Sequence, residues 1–240
     1  MNGPAYWGIA GYPISHSLTP RLFEIVGERF GLKAECVYLE ADSMDEFEAN
    51  LKNLERDIWL SCTAPLKHSP QARLAVSGPE GVNAINQLKR TNGLWSGTST
   101  DGVGFVAACR HIGVEPNGSI LRMRGGGSAA RAIAAAWAEE GGSIIPVEGR
   151  RALVGGPWDS AITSEGEADL AVDLDEAAGG GDFTELSAKQ QVSISYGEDA
   201  TADDFAVIMV AAQHLEAWKR LFAPKRVNEI PSLDDVLSQL

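Results

Sequence analysis

Along the first hundred residues, short apolar runs alternate with longer amphipathic stretches. Trp7–Tyr12, Glu35–Leu39 and Ile58–Thr63 have the length and composition of strands. Between them lie helical patterns from about Pro20 to Phe30 and from Ser43 to about Leu54, the second opened by a Ser43/Glu46 capping box. This β-α-β-α-β order predicts a mainly parallel sheet. Asn83–Leu88 and Leu94–Trp95 flank the turn Thr91-Asn92-Gly93 and predict a hairpin. A helix follows over Gly102–Ile112, and Pro116-Asn117-Gly118 then punctuates the chain.

Beyond that break comes a strand (Ser119–Met123), a glycine-rich turn, a helix (Ser128–Glu140) and a second strand (Ile144–Val147), the opening of a Rossmann-like unit. Leu170–Val172 and Val192–Ser195 read as further strands, and the small, glycine-rich segment 177–182 as a loop. A helix is expected over Asp204–Leu221, and Pro231-Ser232 with Asp235 caps a last helix to Leu240. The expectation is an α/β protein of two domains. The first covers residues 1–104, with 214–240 packing back onto it; residues 105–213 form a Rossmann-like domain.

Composition narrows the partners. The chain has 240 residues and a formal net charge of -13, so its surface repels a phosphate backbone and nucleic acid is not expected. No apolar stretch reaches the length of a membrane span, and the N-terminus lacks a secretory pattern. The three cysteines, Cys36, Cys62 and Cys109, form no CxxC pair. The four histidines show no metal-ligand spacing, so no metal is expected. These features suit a cytoplasmic protein acting on a small molecule. Monomer and homodimer both stay open.

Three stretches carry candidate chemistry. In Gly11-Tyr12-Pro13-Ile14-Ser15-His16-Ser17-Leu18-Thr19-Pro20 a strand gives way to a helix. Pro20 suits the first helical position and Thr19 the N-cap. Ser17 and Thr19 then place hydroxyls beside free backbone N–H groups, a seat for a carboxylate or phosphate, although on these residues alone simple capping is the favoured account. Gly125-Gly126-Gly127-Ser128-Ala129-Ala130-Arg131 is a G-x-G-x-x-A turn between strand and helix, suited to a pyrophosphate. Arg150 and Arg151, at the end of the next strand, suit a 2′-phosphate and favour NADP(H); Glu148 leaves NAD(H) possible, since a carboxylate can bind a bare ribose. Lys67 and Asp101 each follow a strand or hairpin and open a helix, and a lysine beside a carboxylate can exchange a proton with a carbonyl or alcohol oxygen. Spacing alone does not bring those two together.

In combination these segments resemble the shikimate dehydrogenase family over nearly the whole chain. Gly11–Pro20 is similar to that family's opening motif, which implies that Ser17 and Thr19 hold the substrate carboxylate. Ser61–Lys67 is similar to its N-V-T-x-P-x-K segment, implying Thr63 as a substrate contact and Lys67 as the catalytic lysine. Ala84-Ile85-Asn86-Gln87-Leu88 resembles A-V-N-T-L, and Asn86 inherits a hydroxyl contact. Gly97–Gly102 resembles G-x-N-T-D-G and makes Asp101 the catalytic aspartate. Met209–Gln213 resembles M-L-V-x-Q, so Gln213 binds substrate, and Tyr196 matches a tyrosine near the active site. The resemblance implies NADP-dependent reduction of 3-dehydroshikimate to shikimate in aromatic amino acid biosynthesis. A quinate-preferring relative and a non-catalytic substrate binder are the alternatives.

The chain departs from the pattern in both halves. Ser61 and Ser99 each stand where the motifs have asparagine, and Thr19 where serine is usual. In the cofactor half, Arg122 and Arg124 interrupt an apolar strand, Pro146 sits inside the next one, and Asp173-Leu174-Asp175-Glu176 replaces N-A-T-x-x-G-M. Carboxylates there oppose phosphate binding.

Overall fold

The computed structural model describes residues 3–175, 184–197 and 199–240. The loop expected over 177–182 lies outside the described residues. The chain divides into two compact units, one of Met1–Pro79, Asn83–Thr100 and Gln213–Leu240, the other of Glu80–Val82 and Asp101–Ala212.

The first unit is a five-stranded sheet. Strands β1 (Tyr6–Gly11), β2 (Glu35–Glu40) and β3 (Ile58–Cys62) are joined by helices α1 (Thr19–Arg29) and α2 (Met44–Leu51). A short helix α3 (Pro70–Arg73) precedes the hairpin β4 (Gln87–Thr91) and β5 (Leu94–Thr98). The order is β2-β1-β3-β4-β5, with β1 parallel to both β2 and β3, and the hairpin antiparallel at one end. Both faces are covered, so β3 is buried along its length. Alternation sorts the two faces. Ile58 and Leu60 join Ala10, Phe47 and Leu88 in a largely aliphatic core. Trp7 and Trp59, register partners on the other face, meet an aromatic cluster. Trp7 stacks on Phe23 with centroids 5.7 Å apart, and Trp59 stacks on Phe222 at 5.0 Å.

The second unit opens with α4 (Asp101–His111), then β6 (Ile120–Arg124), α5 (Ser128–Glu139) and β7 (Ser143–Val147), followed by β8 (Leu170–Asp173) and β9 (Gln190–Val192). The four strands among its described residues are all parallel, in the order β7-β6-β8-β9. Pro146 is tolerated because β7 is an edge strand, where a missing donor faces no partner. Helix α6 (Phe205–Ala217) carries the chain from this unit to the first, and α7 (Leu233–Leu237) follows, opened by a complete Ser232/Asp235 capping box.

Several elements differ from expectation, each for a local reason. Thr19 is not the N-cap. It is the first helical residue and nearly covered, and its N–H donates to Ser17 Oγ (3.2 Å). Helix α2 ends at Leu51, and the Glu46 carboxylate accepts from Asp42 N–H rather than closing the box on Ser43. Strand β4 starts only at Gln87, because Asn83 takes a left-handed φ of 49° and Ile85 N–H turns to the Lys67 carbonyl. Strand β9 stops at Val192, where the Ser193 hydroxyl accepts from Ser195 N–H and draws the backbone out of the ladder. The helix expected to reach Leu221 widens instead after Ala217. In the π-helical turn Trp218–Phe222 the Ala223 N–H reaches back to Trp218 O (2.8 Å), and both Trp218 and Phe222 become fully buried. No described helix is long and apolar enough to cross a membrane.

Candidate active site

In the first unit, the carboxyl ends of parallel β1 and β3 place the candidate residues. This is where ligands bind in open α/β sheets. The connection after β1 carries Ser17 and Thr19; the one after β3 carries Thr63 and Lys67. Backbone bonds tie them together. Tyr12 N–H donates to Ala64 O and Thr63 N–H to Ala10 O, both at 2.9 Å. The Tyr12–Pro13 and Ala64–Pro65 peptides are both cis. Lys67 lies in a 3-10 turn, Leu66–His68, and its carbonyl accepts Ile85 N–H at 2.7 Å, which anchors the stretch leading to Asn86. Lys67 is also close enough to Cys62 for its charge to lower the thiol pKa, but burial dominates and pushes that thiol up to about 12. Cys62 is therefore a protonated, inert neighbour.

Asn86 is buried in a polar network. Its Oδ1 accepts Thr100 N–H (2.7 Å) and its Nδ2 donates to Thr100 Oγ1 (3.1 Å). Gln87 Nε2 donates to the same hydroxyl (3.3 Å), and Gln87 Oε1 accepts from Ser61 Oγ (2.9 Å). Ser61 and Gln87 face each other in the β3–β4 register. Two departures from the family motifs are thus hydrogen-bonded to one another.

Gln213, half-buried on α6, precedes His214, which is buried. Trp218 Nε1 donates to His214 Nε2 (2.9 Å), and the Phe23 ring meets the imidazole edge-on at 4.5 Å. Accepting at Nε2 puts the proton of neutral His214 on Nδ1. Burial lowers its pKa to about 3, with the Leu22 backbone partly opposing the shift, so it stays neutral at working pH.

In the second unit, Asp101 is buried at the first turn of α4, and Tyr196 lies in the segment after β9. The glycine-rich turn joins β6 to α5. Gly125 has a φ of +102°, a conformation that needs glycine. Gly127 caps α5 with no side-chain bond, and nothing lies within 4 Å of the place a Cβ would take there. The helix start is thus left open to an anion, and a pyrophosphate fits it. Arg131 fixes the turn from behind: Nε donates to Val82 O (2.7 Å), Nη1 to Gly126 O (3.2 Å) and Nη2 to Ser128 Oγ (3.4 Å). Burial, then the neighbouring charge of Arg151, hold Arg131 below the usual arginine range.

Of the carboxylates that replace the family's N-A-T segment, Asp173 and Asp175 have arginine partners. Asp173 Oδ2 accepts from Arg124 Nη1 (2.9 Å), its register partner on β6, and Oδ1 accepts from Asp175 N–H (2.9 Å). Burial pushes Asp173 up, but the Asp175 N–H, Arg124 and the Thr184 hydroxyl outweigh it, and its pKa lies below the usual carboxylate range. Asp175 accepts from the backbone N–H of Arg150, whose Nη2 donates to Asp175 O (3.1 Å). Arg151 and Glu148 are exposed. Sequence reasoning gave Arg131, Thr100 and Asp175 no binding role. For Arg131 the signal was its place one turn into the helix behind the glycines. Among the described residues no cluster could hold a metal ion.

No family model matches the chain. It is 35% identical over 144 residues to a shikimate dehydrogenase (NADP(+)) of Syntrophomonas wolfei, a match covering 58% of this chain and 48% of that one. It is 31% identical over 184 residues to the Rubrobacter xylanophilus protein of the same name, covering 73% and 64%. The chain thus spans about half to just under two thirds of the length of these curated relatives. Among solved structures, shikimate 5-dehydrogenase of Thermus thermophilus bound to shikimate superimposes with a TM-score of 0.77 over 98% of this chain and 96% of that one, at 22% identity. The same enzyme with NADP(H) and shikimate gives 0.75 at 21%. In sequence the chain is similar to shikimate dehydrogenases over part of their length, and it shares the fold of the solved ones.

Proposed function

We propose that this chain is an NADP-dependent oxidoreductase that interconverts 3-dehydroshikimate and shikimate: 3-dehydroshikimate + NADPH + H⁺ gives shikimate + NADP⁺. The observation that carries the reading is the backbone tying of three connections in the first unit, which gathers Ser17, Thr19, Thr63, Lys67 and Asn86 at the ends of β1 and β3. The names of the curated relatives and the ligands of the Thermus enzyme support the substrate and the cofactor.

On this reading the first unit holds the acid and the second the dinucleotide. Ser17 and Thr19 bind the carboxylate, beside the start of α1. Thr63, Asn86, Gln213 and Tyr196 contact the rest of the ring, so an analogue lacking a hydroxyl leaves a buried polar group unpaired. Lys67 gives a proton to the carbonyl oxygen as it becomes an alcohol and recovers it in reverse, and Asp101 completes the proton-transfer pair. Gly125, Gly126, Gly127, Ser128 and Ala129 hold the pyrophosphate, with Arg150 and Arg151 toward the adenosine end. The nicotinamide, when bound, supplies the hydride to the carbonyl carbon. The reading places the protein in the cytoplasm, without nucleic acid.

The test is NADP⁺ reduction with shikimate, run beside quinate and NAD⁺. Lys67→Ala should lower kcat by roughly 10²- to 10⁴-fold with little change in KM. A near-normal kcat would remove Lys67 from proton transfer. Absence of turnover with any combination, from folded protein, would sink the enzymatic reading.

A further inference from the structure

We infer that Asp175 sets the cofactor's specificity at the 2′-position of its adenosine ribose, and that it does so against the phosphate. The inference rests on the dinucleotide reading above. In a Rossmann unit the ribose lies in the crevice outside the first two strands, where a carboxylate binds free hydroxyls and an arginine accommodates a 2′-phosphate. Sequence spacing offers Glu148 for the first role and Arg150 for the second. The fold changes both assignments.

Glu148 is exposed at the end of β7. The carboxylate inside the crevice comes from the end of β8 instead. The Asp175 side chain is only 10% exposed. A Cβ on Gly125 would stand 2.9 Å from Asp175 Oδ1, and one on Gly149 would stand 2.0 Å from Oδ2. Asp175 therefore fills the space between the first glycine of the β6–α5 turn and the glycine that follows β7. Only residues without side chains could flank it so closely.

Arg150 does not reach this place as an uncommitted cation. Its backbone N–H donates to the Asp175 carboxylate, its Nη2 donates to the Asp175 carbonyl, and its Nε lies 3.7 Å from Oδ1. A doubly charged phosphate entering here meets a carboxylate and an arginine whose charge is already matched. A ribose hydroxyl meets an acceptor. The preference for a 2′-phosphate is accordingly smaller than Arg150 and Arg151 alone would impose, and Asp175→Asn should enlarge it. The amide keeps the shape and the acceptor for Arg150 N–H while removing the charge.

Direct binding, by calorimetry, of adenosine 2′,5′-bisphosphate and adenosine 5′-monophosphate tests this without turnover. Asp175→Asn should tighten the bisphosphate about tenfold and leave the monophosphate unchanged or weaker. In the native background Arg150→Ala should cost the bisphosphate less than about threefold; in the Asp175→Asn background it should cost about tenfold, because the arginine is then released to the phosphate. Equal responses of the two nucleotides to Asp175→Asn, or an Arg150→Ala effect that is the same in both backgrounds, would overturn the role of Asp175 alone. Failure of both nucleotides to bind the native chain would overturn the dinucleotide reading with it.

Discussion

The two units solve the same problem with opposite chemistry. At the end of β3, Ser61 and Gln87 depart from the family motifs together and form one neutral, buried hydrogen bond. At the ends of β6 and β8, Arg124 and Asp173 depart together and form an ion pair, with Arg150 and Asp175 a second beside it. In these three pairs the departing residue is matched by the one it touches, whereas Ser99 Oγ and Arg122 Nε, two further departures, are buried without a hydrogen-bond partner among the described residues. In the first unit, whose core is largely aliphatic on one face and aromatic on the other, the paired departures are a neutral hydroxyl and a neutral amide. In the second, where a dinucleotide is proposed to bind, the paired departures are charged, and Asp173 and Asp175 each have an arginine partner. Divergence in such a protein is better judged by pairs in space than by positions along the chain.

Breaking the aromatic side of the comparison should have the largest effect. Trp218 is fully buried against Phe30, Trp59 and Phe222. Trp218→Ala should cost about 3–5 kcal/mol in urea unfolding; a loss well under that would mean that the cluster refills the space. On the charged side, Asp173→Asn leaves Arg124 without its counter-charge and should cost about 2 kcal/mol, less than a fully buried pair because Arg124 keeps 29% of its exposure. Arg124→Met combined with Asp173→Leu should recover most of that loss. If the double variant is no better than the single one, the pair contributes more than mutual neutralisation.

The most gradual effect is a slope, spread over pH rather than lost in one step. His214 has a folded pKa of about 3 against an ordinary value of 6.5. Between those values the unfolded chain binds a proton that the folded one refuses, so stability falls as pH drops below 6.5, by about 1.4 kcal/mol per unit from this group. Asp173 adds its own loss only further down, as pH falls below its ordinary 3.8. His214→Phe should flatten the dependence between pH 6 and pH 4, read from thermal midpoints. An unchanged slope would assign the acid sensitivity to other groups.

Much of the fold was legible because its signals are local. The Ser232/Asp235 box, the Asn92-Gly93 turn and the strand–glycine–helix opening at residue 120 each lie within a few residues. So do the segments that carry the candidate site, from Ser17 to Thr19 and from Thr63 to Lys67. The exceptions come from contacts across long separations. Arg124 and Asp173 are 49 residues apart, and Arg150 and Asp175 are 25 apart. A sequence shows their charges and not their partners, so the carboxylates of the β8 segment read as damage, whereas the parallel register sets Asp173 against Arg124 and the loop after β7 brings Arg150 to Asp175. The start of β4 was misplaced for the same reason: Ile85 N–H is claimed by Lys67 O rather than by the neighbouring strand.

The buried thiols have a use apart from any chemistry of the site. Cys62 lies within the first unit and Cys109 within the second, and burial raises both pKa values far above that of a free thiol. Neither can be alkylated until the structure around it opens. In a Cys36→Ser background, the rate of modification at each would time the local opening of its own unit, so that a ligand which steadies one unit alone would slow one clock and leave the other running.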